Sequence, residues 1–201
     1  MPTTAIKKTQ PTVRRVDITF MRYRIIAGPA GDSFKALAYI GSERVATSEG
    51  CTAQEATEDL KTNLAARDAE MRASRVDGVP QAQEYFEALA IIGMREVMLV
   101  EPALRFHAGS EGETTTFPDM ARALGVGQED IVQKYIDLGR RVGRELEFQP
   151  SDKRFSQRYE AILALASAES DANGRLIGIR LRPQFRDGLA SFESKRKIFR
   201  L

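Results

Sequence analysis

The chain has 201 residues, 42% of them hydrophobic and 29% charged, with a net charge of +2 and a single cysteine and histidine, Cys51 and His107. These values suit one ordinary domain or two small ones rather than a disordered chain. They exclude an internal disulfide and any zinc site built from histidine and cysteine.

A single cysteine fits a reducing compartment. No run of about 18 apolar residues is present, and the N-terminus lacks the apolar core of a signal peptide. The expectation is a cytoplasmic protein with no membrane segment. Charge is unevenly spread. Residues 1–24 hold six Lys/Arg and one Asp, residues 43–101 hold twelve acidic and six basic residues, and residues 175–200 hold eight basic and two acidic residues. Basic ends attract phosphate, or simply stay solvated.

In chain order, residues 1–12 read as a disordered lead-in. Residues 13–48 read as an antiparallel β-meander. Val16, Ile18 and Phe20 alternate with polar neighbours, Pro29-Ala30-Gly31-Asp32 is a turn cluster, and a second strand carries Phe34, Ala36, Ala38 and Ile40 on one face. Gly41-Ser42-Glu43 turns into a short third strand. Thr52-Ala53-Gln54-Glu55 is a capping box, and Ala56, Leu60, Leu64, Arg67 and Met71 line one face of the helix it opens. Asp77-Gly78-Val79-Pro80 stops that helix, and Pro80 opens an apolar helical stretch interrupted at Pro102. We place a boundary near residue 78, dividing a module over 13–78 from a mainly helical one over 79–201. Two short helices flank Gly125, a short strand is expected over 144–148, and Ser151 caps a helix through Tyr159, Ile162, Leu163 and Leu165. Asn173-Gly174 signals a hairpin, 176–181 a strand, and the basic tail a helix. The fold class is α+β.

Within residues 116–136, the small Ala121, the turn residue Gly125 and the apolar Val126 and Ile131 let two short helices pack closely. Their spacing resembles helix-turn-helix regulators. In that family the second helix lies in the major groove. The resemblance implies a reading helix over about 128–139, with Gln128, Gln133 and Lys134 as reading positions. Arg140, Arg141 and Arg144 would meet phosphate. Glu129 and Asp130 depart from the pattern, since they repel phosphate while suiting a helix N-terminus. Lys134 stands where the family has an apolar residue, with Tyr135 and Ile136 available for packing. Winged versions of the fold add a hairpin. Residues 175–182 read as one arm of it, with Arg180 and Arg182 alternating toward one side, or else as an edge strand with solvated arginines.

Gly50, Thr52, Glu55 and Ala56, after a meander, resemble HicB-like antitoxin domains over residues 34–60. That resemblance implies a protein-binding or dimerisation module. The same residues also read as a turn glycine plus a capping box. A double-stranded-RNA-binding arrangement is disfavoured, because Thr57, Glu58 and Asp59 stand where its phosphate-clamping lysines belong.

No nucleophile elbow, phosphate loop or dinucleotide fingerprint occurs, and His107 reads as a surface or packing residue. We expect no enzyme, no metal and no cofactor. The expected function is double-stranded DNA binding, as a regulator of transcription or a plasmid- or phage-type replication factor, by a homo-oligomer or with a protein partner. The alternative is a structural or interaction subunit of a larger assembly, or an antitoxin-like binder.

Overall fold

The computed structural model of the protein describes residues 15–110, 114–148, 159–170 and 176–198. The lead-in expected over 1–12, the cap at Ser151 and the Asn173-Gly174 turn lie outside the described residues. The chain is α+β and divides into two compact units, Met1–Arg67 and Asp68–Leu201. The division falls within one helix.

In the first unit, β1 (Val16–Phe20), β2 (Tyr23–Ala30), β3 (Ser33–Ile40) and β4 (Glu43–Gly50) form one antiparallel sheet in sequence order. The sequence reading joined β1 and β2 into one run. The structure turns the chain at Met21-Arg22, with Met21 at φ 53, and Pro29 and Ala30 belong to β2 rather than to a turn. The inward positions switch from Val16, Ile18 and Phe20 to Tyr23, Ile25 and Ala27 across that turn, and the apolar Met21 within it blurs the change of phase. The register sets Ile18, Ile25 and Ala38 side by side, as it does Val16, Ala27 and Ala36. This is the buried face: Tyr23, Ile25, Ala27, Ala36, Ala38 and Ile40 are inaccessible to solvent.

Helix α1 (Ala53–Ala73) buries Ala56, Leu60 and Leu64. Near its C-terminal half, Arg67 donates to the Tyr23 hydroxyl at 2.8 Å. Thr52 Oγ1 accepts the Glu55 amide at 3.1 Å, and Glu55 accepts the Cys51 amide at 2.8 Å. Gly50 has a steric reason too, since a Cβ there would lie 2.7 Å from the Ala56 nitrogen.

The second unit is mainly helical. The apolar stretch expected to start at Pro80 becomes α2 (Ala82–Ile92), α3 (Met94–Met98) and α4 (Glu101–Gly109). Gln81, not Pro80, caps α2. Gly93, at φ 88, separates α2 from α3, and Pro102 falls in the first turn of α4, where its missing N–H costs nothing. The buried Glu84 is matched by Arg75 at 2.6 Å and by the Gln81 amide at 2.9 Å, and Arg75 also donates to the Leu146 carbonyl. Such a pair holds only while each partner is present.

Two further helices follow, α5 (Phe117–Leu124) and α6 (Gln128–Glu145), then a 3₁₀ segment (Glu160–Ala164), strands β5 (Ala166–Ser170) and β6 (Leu176–Leu181), and α7 (Pro183–Ile198). The strand expected over 144–148 is absent. α6 continues to Glu145 and ends on Leu146, with the Phe148 amide bonding back to the Gly143 carbonyl. Leu146 and Phe148 therefore follow a helix end, and their alternation was coincidental. The helix expected through Leu165 also stops early. The Arg182 amide donates to the Leu165 carbonyl, and the chain enters β5 at Ala166.

Two glycines permit close backbone approach. A Cβ on Gly188 of α7 would lie 2.7 Å from the Ala82 carbonyl oxygen, and one on Gly139 of α6 would lie 2.2 Å from the Ala161 carbonyl oxygen. In an open helix, Gly→Ala gains up to ~1 kcal/mol. At Gly139 the clash reverses the sign, and Gly139→Ala should lower unfolding free energy by at least about 2 kcal/mol in urea titration. Gly109→Ala, with no atom within 4 Å of the added Cβ, is the control. A neutral or stabilising Gly139→Ala would show that α6 and the 3₁₀ segment are not in this contact.

Candidate nucleic-acid interface

The helix pair begins at a satisfied N-cap. Thr116 Oγ1 accepts the Asp119 amide at 3.1 Å and donates to the Asp119 carboxylate at 2.6 Å. α5 ends on Gly125, whose left-handed φ of 66 suits a residue without Cβ. Ala121 and Ile131 are buried, as the close-packing argument required. Val126 is not. It is 43% exposed, because it sits inside the Gly125–Gly127 turn and not on either helix.

α6 has two faces. Ile131, Val132, Tyr135, Ile136, Leu138, Gly139 and Val142 are buried, and Tyr135 and Ile136 do the packing at the position where Lys134 departs from the resemblance. Steps of three and four residues place Glu129, Gln133, Asp137, Arg140 and Arg144 along the opposite, exposed face. Gln128 is exposed only because it opens the helix; Ile131 and Val132, its neighbours on that side, are buried.

The expected contact residues have neighbours of their own. Gln133 donates to Asp137 at 2.9 Å. Lys134 pairs with Asp130 at 2.8 Å, Arg140 with Asp137 at 3.7 Å and Arg141 with Glu96 at 3.2 Å. Arg144 is exposed, with no ion-pair partner among the described residues. Pairs this exposed are worth roughly 0–1 kcal/mol and exchange readily for another anion. The face is acidic at its first turn and basic at its last, the order the helix macrodipole favours.

The hairpin comes next. β5 and β6 pair antiparallel, and Thr115, just before α5, bridges to Ile179 of β6 through both backbone hydrogen bonds at 2.9 Å. Gly178 leaves room there, since a Cβ would lie 2.3 Å from the Thr114 methyl group and 3.1 Å from the Thr115 carbonyl oxygen. Arg180 reaches Glu169 at 3.0 Å and Thr114 at 3.3 Å on the exposed side. Arg182 does not join it. Its Nε donates to the Leu163 carbonyl at 2.9 Å, its guanidinium stands 5.4 Å from the Phe148 ring, and burial lowers its pKa. The two arginines expected on one side are thus apart, because β6 ends at Leu181 and the chain bends into α7.

Sequence reasoning missed the buried link beneath this hairpin. His107 of α4 faces the Ile179 carbonyl through Nε2 and the Tyr135 hydroxyl through Nδ1, each at 3.1 Å. A carbonyl only accepts, so Nε2 carries the proton, and Nδ1 accepts from Tyr135. One neutral tautomer meets both demands. A lone histidine gives no periodic signal, and only the fold reveals its partners. Among the described residues no cluster of three or more His, Cys, Asp or Glu is placed to hold a metal ion, and no helix is long and apolar enough to cross a membrane.

Burial lowers the His107 pKa to about 4, against an ordinary value of 6.5. The unfolded chain therefore takes up a proton over that interval while the folded one does not. Stability contributed by His107 is complete above pH 6.5 and declines as pH falls toward 4, by up to about 3 kcal/mol. Subtracting the unfolding free energy of His107→Gln from that of the unaltered chain across this range cancels the shared carboxylate contributions. The difference should shrink steadily with acid. A constant difference would mean that His107 is not held neutral.

Comparison with family models, with curated proteins and with solved structures finds no match to this chain.

Proposed function

We propose that the segment from α4 to β6 is a winged helix-turn-helix module, and that the protein binds double-stranded DNA as a regulator or as a plasmid- or phage-type replication factor. The observation that carries this reading is the bridge between Thr115 and Ile179. A corner of two helices around a glycine is common. Here the corner is embedded in a longer order: helix α4, a bridging residue, α5, the Gly125 turn, α6, then a hairpin whose second strand pairs back to the bridging residue. That order keeps the exposed face of α6 and the hairpin within one compact unit. α6, at 18 residues and about 1.5 Å per residue, is long enough to cross a groove.

A second reading has its own observation. In the first unit, Ile26, Leu37 and Tyr39 are half-buried on the sheet face opposite the buried one. They are bordered by the ion pairs Arg24–Asp17 and Lys35–Glu49. An apolar centre with a polar rim suits a protein partner, and sedimentation of the purified chain would reveal self-association through it.

The DNA-binding reading is tested by fluorescence anisotropy with a random-sequence duplex over a range of salt concentrations. Three to five phosphate contacts predict that log K falls with log salt at a slope of about −3 to −5. Binding that is absent at low salt, or indifferent to salt, sinks it.

A further inference from the structure

The two ends of α6 differ in charge and in the space beside them. Its first turn presents Glu129 and Asp130, and exposed Asp119 lies in the first turn of α5. The last two turns present Arg140, Arg141 and Arg144. Arg141 is engaged by Glu96, whereas Arg140 is 58% exposed with its carboxylate at a long 3.7 Å.

Beside these two turns lies an open groove of about 350 Å³, bounded by α6 and the 3₁₀ segment. Gly139, Gly143, Ala161 and Ala164 form the seam where α6 packs on the 3₁₀ segment, and Phe148 lines the groove beside them. Among the described residues, Arg140 and Arg144, one helical turn apart, bring two guanidinium groups to it, against one carboxylate, Glu160. Guanidinium forks match phosphate oxygens.

We propose that this groove seats the phosphodiester backbone of the duplex, with Arg140 and Arg144 each engaging a phosphate. α6 then meets DNA by its C-terminal half, and its acidic first turn stays outside the groove of the nucleic acid. The inference rests on the DNA-binding reading above and deepens it.

The test uses the full chain and the same random-sequence duplex, with circular dichroism to confirm folding. Each lost phosphate contact reduces the salt slope by about 0.9. Arg140→Ala with Arg144→Ala should therefore reduce it by about 2, while Arg140→Lys with Arg144→Lys retains it. Glu160→Gln should tighten binding several-fold. Glu129→Gln with Asp130→Asn should change affinity by less than about twofold, because screened charges away from the bound strand contribute little. Salt-dependent binding by the unaltered chain, with an unchanged slope in the double alanine variant, overturns the groove and leaves the DNA-binding reading standing. So does a tightening of about tenfold on neutralising Glu129 and Asp130, a change of 1.4 kcal/mol. No binding by the unaltered chain overturns the parent reading and this inference with it.

Discussion

The carbonyl oxygen of Ile179 accepts from two directions, from the Thr115 amide at 2.9 Å and from His107 Nε2 at 3.1 Å. Around this one peptide group the second unit is organised. His107 belongs to α4, Thr115 leads into α5, and Tyr135, which holds the other side of the imidazole, belongs to α6. A buried carbonyl with two donors is fully matched, whereas a buried imidazole lacking either partner would carry an uncompensated polar atom. No buried side-chain nitrogen or oxygen lacks a partner among the described residues. The geometry therefore tolerates only a narrow placement of β6 relative to the helix pair, and the position of the hairpin follows from it.

α6 meets two demands with one sequence. Its buried side must accept the Ala161 carbonyl at Gly139 and set the Tyr135 ring edge-on to Phe117 at 5.6 Å. Its exposed side is free of those requirements, and there the charges are ordered along the axis. Acidic residues at the first turn and arginines at the last both favour the helix itself. That ordering explains why Glu129 and Asp130 stand where a DNA-reading helix would not place them. Helix stability alone accounts for them, with no functional reason needed.

Much of the fold was legible from short-range pattern. The alternation of Phe34, Ala36, Ala38 and Ile40, the capping residue Thr52, and the left-handed position at Gly125 each have a local cause, and each was readable. What escaped was decided at a distance. The Met21-Arg22 turn shifts the apolar phase from even to odd positions, but the apolar Met21 falls within it and blurs the break. Leu146 and Phe148 alternate like a strand, yet close a helix. β5, with the sequence Ala-Ser-Ala-Glu-Ser, has no β-branched or aromatic residue to announce it, and forms because β6 offers it a ladder. Among the expected contact residues, exposure of Gln133, Arg140, Arg141 and Arg144 followed from helical periodicity. The turning away of Arg182 did not, since it depends on the Leu163 carbonyl and the Phe148 ring.

The two resemblances in the sequence differ in what the structure adds to them. Gly50, Thr52, Glu55 and Ala56 are each explained by the entry into α1: one close approach, two capping hydrogen bonds and one buried methyl. Any strand running into a capped helix would select them, so the motif is uninformative about partners. The helix pair also has local causes at Thr116 and Gly125, but its surroundings do not. Nothing in packing α5 against α6 requires Thr115 to pair with a strand far along the chain, or Gly178 to yield space to the Thr114 methyl group. Functional weight belongs on the arrangement that local folding leaves unexplained, and in this chain that is the hairpin fastened beside α6.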